Sequence, residues 1–412
     1  MTERAGRLPR RHIPRASAAY VVLLGTLAAL PPLGIDMGLP ALPGLQAGLA
    51  VSPARATETL SVFLLGFAIG PVLLGPLSDR YGRKPLLLFG LGVFTATAVG
   101  CALASSIQTL LAFRLAQGVG AGAAAALPAA IVRDAFAGDL GRTRQSQVTL
   151  VNAVAPLAAP LIGAAVLRVG DWRTVYGVLT AVGGLLLAAS LLGYEETAPP
   201  RDTKSAGVLT ALTRGYRAIL ADRQYVVGTL ILALSFGGMF AYIASSSLVF
   251  IGLYGVSAAV YSLLFAVTAA GTVGGAALNG ALVGRGLAGP MLLRAGLGLS
   301  AAAALGLSLI AGTALATLPA VAALLVVSNF SAGVVMPNAT HEALLHQGHV
   351  AGSAAALQRA GQMLVGAAAG ACCGWWYDGR SAAAMAYVML GCAVLALVAF
   401  QVGTRVAAPR PA

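Results

Sequence analysis

Time after time along this chain, about twenty consecutive residues pass almost without a charge, and that recurrence restricts the fold more than any other feature. A helix needs about 20 apolar residues to cross the hydrocarbon core of a bilayer. Divided at charges, glycine–proline breaks and polar clusters, the sequence holds twelve such runs. They lie near 17–39, 54–76, 85–105, 107–131, 145–167 and 173–194, then 224–247, 256–283, 288–310, 318–339, 350–374 and 381–403. The runs are continuously apolar rather than alternating, which predicts helices and argues against a β-barrel. Only 9% of residues are charged and 58% are apolar, against about 25% charged in an ordinary soluble domain. So few charges cannot coat a soluble enzyme of this length, and so apolar a chain does not stay disordered. The expected fold class is an all-α integral membrane protein with twelve transmembrane helices.

The basic residues orient those helices. With the N-terminus in the cytoplasm, 19 of the 26 Lys and Arg fall in cytoplasmic connectors and tails, four in outer connectors (Arg55, Arg168, Arg173, Arg380), and three inside runs (Arg114, Arg294, Arg359). The positive-inside rule therefore places both termini in the cytoplasm. The formal charge of +13 is spread over short connectors rather than gathered in a patch, so the expected partner is an anionic lipid leaflet and not nucleic acid. The start, Arg4 to Arg15 before an apolar run, imitates a secretory leader; Pro31 and Pro32 follow without a small-residue cleavage site, and an uncleaved first span is expected. One long polar connector, Glu195 to Arg223, holds Pro199, Pro200 and nine charges. The expected organisation is a basic arm (1–16), a six-helix bundle (17–195), a cytoplasmic linker (196–223), a second six-helix bundle (224–403) and a tail (404–412). Six helices on each side of a linker predict duplicated, pseudo-symmetric halves, the layout of a rocking-bundle transporter. Gly75-Pro-Leu-Ser-Asp79-Arg80 and Gly280-Ala-Leu-Val-Gly284-Arg285 are a faint echo of that duplication.

Ionisable groups within the runs each need a reason, since one charge in hydrocarbon costs about 2.5–3.5 kcal/mol on insertion scales. Asp36 sits in Leu33-Gly-Ile-Asp36-Met-Gly-Leu-Pro40, either as a proton-exchanging carboxylate or as a wet residue at the outer helix end. Arg114 cannot shed its charge, so it must face an aqueous cavity, meet a partner such as Asp36, or snorkel to the interface. Gln117 lies one turn on and shares its face. Arg359, with Gln358 beside it and Gln362 a turn further, either lines a central cavity or snorkels to the inner end. The expected cavity wall comprises Arg114, Gln117, Asn152, Tyr242, Arg359 and Gln362, with Asp36 nearby. Gly118-Val-Gly120-Ala-Gly122 and the Gly366, Gly370, Gly374 row read as close helix packing rather than nucleotide loops. Cys101, Cys372, Cys373 and Cys392 read as small buried hydrophobes. His341, Glu342, His346 and His349 lack the H-E-x-x-H spacing of a metal site and read as a solvated turn. Pro156 and Pro160, one turn apart, predict a bent fifth helix at a sliding interface.

Four stretches carry a family likeness. Gly75-Pro-Leu-Ser-Asp79-Arg80-Tyr-Gly82-Arg83-Lys84-Pro resembles the loop signature of the major facilitator superfamily. Asp36-Met-Gly-Leu-Pro40-Ala-Leu-Pro43 resembles the D-M-x-L-P-A-x-P element of bicyclomycin-resistance/CflA-type drug efflux proteins. Arg114-x-x-Gln117-Gly118 is similar to the fourth-helix arginine signature of drug–proton exchangers, and Pro156-x-x-Ala159-Pro160-x-x-Gly163 to the fifth-helix antiporter signature. The chain departs from the pattern at Ala159, where Gly is usual, at Gly284, where the second half lacks the acid, and at Gly38, where Tyr is common. The resemblance implies the major facilitator fold, proton and substrate coupling through Asp36 and Arg114, and gating by Gly75, Asp79, Arg80, Gly82, Arg83 and Lys84. In that gate Asp79 would latch the inner side, while Arg83 and Lys84 face the leaflet and the opposite charge. It further implies proton-coupled antiport of small amphipathic drugs or antibiotics from a bacterial cytoplasmic membrane. A metabolite exporter, uniporter or importer on the same fold is the alternative. No enzymatic activity and no cofactor beyond the proton gradient are expected, and the partners are protons, a small-molecule substrate and lipid around a monomer.

Overall fold

The computed structural model describes residues 12–198 and 208–407, without the side chains of Pro76, Asp79, His349, 208–214 and 404–407. Among the described residues, twelve long helices form the body: α1 (Ala18–Asp36), α2 (Pro53–Tyr81), α3 (Arg83–Leu103), α4 (Ile107–Ala125), α5 (Gly138–Val166), α6 (Trp172–Gly193), α7 (Arg223–Ser247), α8 (Ala258–Gly284), α9 (Gly289–Ile310), α10 (Leu318–Leu344), α11 (Ala351–Trp376) and α12 (Ala383–Ala407). Serine or aspartate caps open many of them; Ser52, Ser106, Asp222 and Ser257 each accept from the first-turn amides, which satisfies donors the helix cannot. Among the described residues, eleven spans are long and apolar enough to cross a membrane. The twelfth, α11, has the length, 26 residues, but Gln358, Arg359 and Gln362 dilute its apolar content.

Three expected boundaries move. The first span does not stop at 39: after Asp36 it continues through Leu39–Ala41 and a short helix Leu42–Gly48, because Pro40 and Pro43 sit in first turns, where their missing N–H costs nothing. The gating stretch is not a loop. Gly75 to Tyr81 complete α2, and the whole reversal into α3 is made at Gly82, with φ +97°, a region only glycine enters freely. The linker is partly a helix, Val208–Ala221. From it the Tyr216 hydroxyl donates to the Val72 carbonyl at 3.0 Å. That carbonyl's usual partner four residues on would be Pro76, which has no N–H.

The packing repeats itself. In the first half α2 packs on α4, α4 on α3, α3 on α6, and α1 on α5; in the second, α8 packs on α10, α10 on α9, α9 on α12, and α7 on α11. Each pair is the other shifted by six helices. Glycines repeat with it: a Cβ at Gly66 or Gly118 would lie 2.0–2.1 Å from the Leu115 or Phe63 carbonyl, and at Gly275 or Gly333 equally close to those of Phe330 and Thr272. Backbone contact of this kind is how helices associate where apolar burial gives no preference for protein over lipid. Two pairs, α2 with α11 and α5 with α8, join the halves.

Candidate translocation site

The seam between the halves is asymmetric along its length. On α11 the positions Arg359, Gln362, Gly366, Gly370 and Gly374 form one stripe, by the 3.6-residue turn. Towards Trp376 the stripe is closed against α2. A Cβ at Gly370 would meet the Ser61 hydroxyl at 2.9 Å and one at Gly374 the Thr57 hydroxyl at 2.4 Å, and Trp375 Nε1 donates to Glu58 at 3.3 Å. Across the other joint, the Ser262 hydroxyl donates to the Pro160 carbonyl at 2.8 Å. The seam is thus sealed at one end, called distal; at the end bearing the Gly82 reversal, called basic, the stripe carries the exposed Arg359 and the half-buried Gln362.

Near the distal seal lie the two groups expected to couple transport. Arg114 is 1% exposed. Its Nε donates to Thr59 O at 3.1 Å, and its Nη1 donates to Gly34 O at 3.0 Å and to Gln117 Oε1 at 2.7 Å. Its guanidinium lies 4.3 Å from the Phe63 ring centroid. The Gly34 carbonyl is free because α1 ends two residues later, so the arginine satisfies an orphan acceptor at a helix C-terminus and meets its partial negative charge. Of the alternatives open for Arg114, pairing with Asp36 is not the one found: its acceptors are neutral. Asp36 is 4% exposed and, among the described residues, makes no hydrogen bond or ion pair.

The remaining expected residues are dispersed. Tyr242 is no open cavity wall: it is buried, bonded to Thr268 at 2.7 Å and stacked on Phe265. Asn152 is half-buried on α5, four residues before Pro156, whose missing N–H leaves the Asn152 carbonyl without its helical donor. Pro160 and Gly163 face the distal joint; a Cβ at Gly163 would lie 2.2 Å from Met37 O.

The basic cluster is tied inward. Arg83, expected to face the leaflet and the opposite charge, is 5% exposed and turned from the leaflet; the opposite charge is Asp134, paired at 2.9 Å, and Arg83 also donates to the Ser78 hydroxyl at 2.6 Å. Lys84 Nζ donates to Leu191 O and Tyr194 O, and exposed Arg80 stacks on Tyr81. Gly75 lies within α2, and the Asp79 side chain, and with it the latch expected there, falls outside the described residues. Sequence reading missed Glu196. Its carboxylate accepts the Arg83 and Lys84 amides at 2.9 Å each and the Thr197 and Ala198 amides, capping α3 across the Gly82 turn. Desolvation pushes this group upward, but the four backbone bonds outweigh it and hold it below the usual carboxylate range. Its one signal was position: an acid just past a span facing the amides of a helix start.

Two repeated six-helix bundles meeting at a seam sealed at one end define a multi-pass membrane transporter. The profile of the Major Facilitator Superfamily matches residues 24–371, and the chain belongs to that family. It is 33% identical over 392 residues to the uncharacterized MFS-type transporter YdgK of Bacillus subtilis, covering 93% of this chain and 94% of the relative. It is 34% identical over 245 residues to a bicyclomycin resistance protein homolog of Haemophilus influenzae (59% and 61% covered). With a chloramphenicol resistance protein of Pseudomonas aeruginosa it shares 32% over 283 residues (68% and 66%). In fold it is similar to a bacterial homolog of the human lysosomal transporter Spinster, with TM-score 0.72, 16% identity and 97% and 98% coverage.

Proposed function

We propose that this chain exports small amphipathic compounds of the drug or antibiotic kind from a bacterial cytoplasm, in exchange for protons, by alternating access. The observation carrying this reading is the α11 stripe, closed against α2 at the distal end and bearing the exposed Arg359 towards the basic end. The basic end is read as cytoplasmic, with both termini there, because it collects the positive charge. Substrate enters the basic side past Arg359 and Gln362. The resistance named for two relatives supports the substrate class. Asp36 carries the proton: an ionised carboxylate buried without a partner is costly, so sealing the distal end around Asp36 and loading it with a proton go together. Entry of that proton down a 100 mV potential contributes about 2.3 kcal/mol per charge. The test is a vesicle assay with the purified chain, an imposed pH gradient, and chloramphenicol or bicyclomycin as probes. Addition of a transported probe should release protons in step with its movement. Movement of the probe that ignores the gradient would make the protein a uniporter instead.

A further inference from the structure

The contacts of Arg114 leave one nitrogen unused. Nε and Nη1 meet Thr59 O, Gly34 O and Gln117 Oε1, all neutral acceptors, and among the described residues no carboxylate pairs with the guanidinium and Nη2 has no acceptor. The end of α1 offsets about half a charge and the Phe63 ring face meets the guanidinium; no anionic side chain among the described residues completes the compensation in a site where an unpaired charge is most expensive. Arg114 lines a small cavity with room for a single small occupant, walled also by Gly34, Thr59, Trp172 and Tyr176. No acidic side chain lines it. The Tyr176 hydroxyl has no hydrogen-bond partner among the described residues, although the residue is only 7% exposed. The Tyr176 ring centroid is 5.8 Å from the guanidinium carbon. A fixed cation and a spare hydroxyl donor therefore share one buried cavity with no charged acceptor.

We propose that this cavity binds one small monovalent anion, a halide or the carboxylate of a larger molecule, held between Arg114 Nη2 and the Tyr176 hydroxyl as the counter-charge of the arginine. This holds whichever compound is exported, and its readout is binding rather than transport. Purified full-length protein in detergent is melted at constant ionic strength while sodium isethionate is replaced by chloride, bromide or acetate. Chloride and bromide should raise the melting temperature saturably. Tyr176→Phe should fold and raise the half-saturating concentration about tenfold, the loss of one hydrogen bond to a charged ligand. Arg114→Gln, if it folds, should abolish the response. A bromide-soaked crystal should show its anomalous peak beside Nη2. Stabilisation by acetate alone would keep the site and assign it to a carboxylate-bearing ligand. Identical melting in every salt would mean that the cavity takes only water, and an unchanged halide response in Tyr176→Phe would mean that the halide acts elsewhere; either result overturns the proposal.

Discussion

Arg114 joins three helices because its planar fork reaches carbonyls on α1 and α2 while Gln117 steadies it from its own helix. A lysine offers one point charge and cannot span those acceptors. Arg114→Lys should therefore lower transport at least tenfold in the vesicle assay, nearly as far as Arg114→Ala; full activity would reduce the arginine to a generic charge. Asp36→Asn should remove proton-driven transport while leaving substrate exchange at zero gradient intact, because only the titrating group is lost. Normal pH-driven transport in that variant would eliminate Asp36 as the carrier. Glu196 makes a different forecast, on stability. Its carboxyl is held below its ordinary value, so its contribution is complete above about pH 5 and is lost as pH falls through the lowered folded-state value. Glu196→Gln should cost about 1 kcal/mol at neutral pH. The gap in melting temperature from the parent should narrow as pH falls below the ordinary carboxylate range, and a gap independent of pH would refute the cap.

Among elements, the glycines of α2 and α4 decide how near two helices come. A Cβ on Gly118 would lie 2.1 Å from Phe63 O, whereas one on Gly92 meets nothing within 4 Å. Gly118→Ala should destabilise the protein by about 1–3 kcal/mol or more, since backbone cannot yield as a side chain does. Gly92→Ala should be neutral or stabilising by up to about 1 kcal/mol. Detergent melting curves of the two variants check the contrast, and equal losses would show that glycine acts through the chain's flexibility rather than through contact. The same logic explains why the signature between α2 and α3 reads as a loop and folds as helix. Gly75 and Pro76 look like punctuation, yet the stretch continues α2, and the Val72 carbonyl that Pro76 leaves over is taken up by Tyr216.

For the whole molecule, function depends on whether the distal seam opens. Ser61 and Gly370 face each other across it, within the reach a disulfide requires. In a background without the four native cysteines, the pair Ser61→Cys and Gly370→Cys should cross-link on oxidation, stop transport, and recover it on reduction. With the bridge closed, a cysteine replacing Arg359 should still react with a soluble thiol reagent from the basic side. Undiminished transport by the bridged protein would mean that the seam does not open during turnover.

The sequence determined by itself how many long spans there are, what they are made of and which end is basic, because crossing a bilayer is a local requirement summed over about twenty residues. It also marked Asp36, Arg114 and Arg359 as exceptions, since each breaks that local rule, and glycine rows 118–122 and 366–374 as places of close approach. Tertiary structure alone decided the partners. Arg114 bonds a carbonyl 80 positions away rather than Asp36, Arg83 turns from lipid to Asp134 across 51 positions, and Glu196 caps a helix that begins 113 positions earlier. Tyr242 is buried against Thr268 and Phe265 of α8 for the same reason. Such pairings depend on which faces of distant helices meet and how closely, and the hydropathy of a single span holds no information about either.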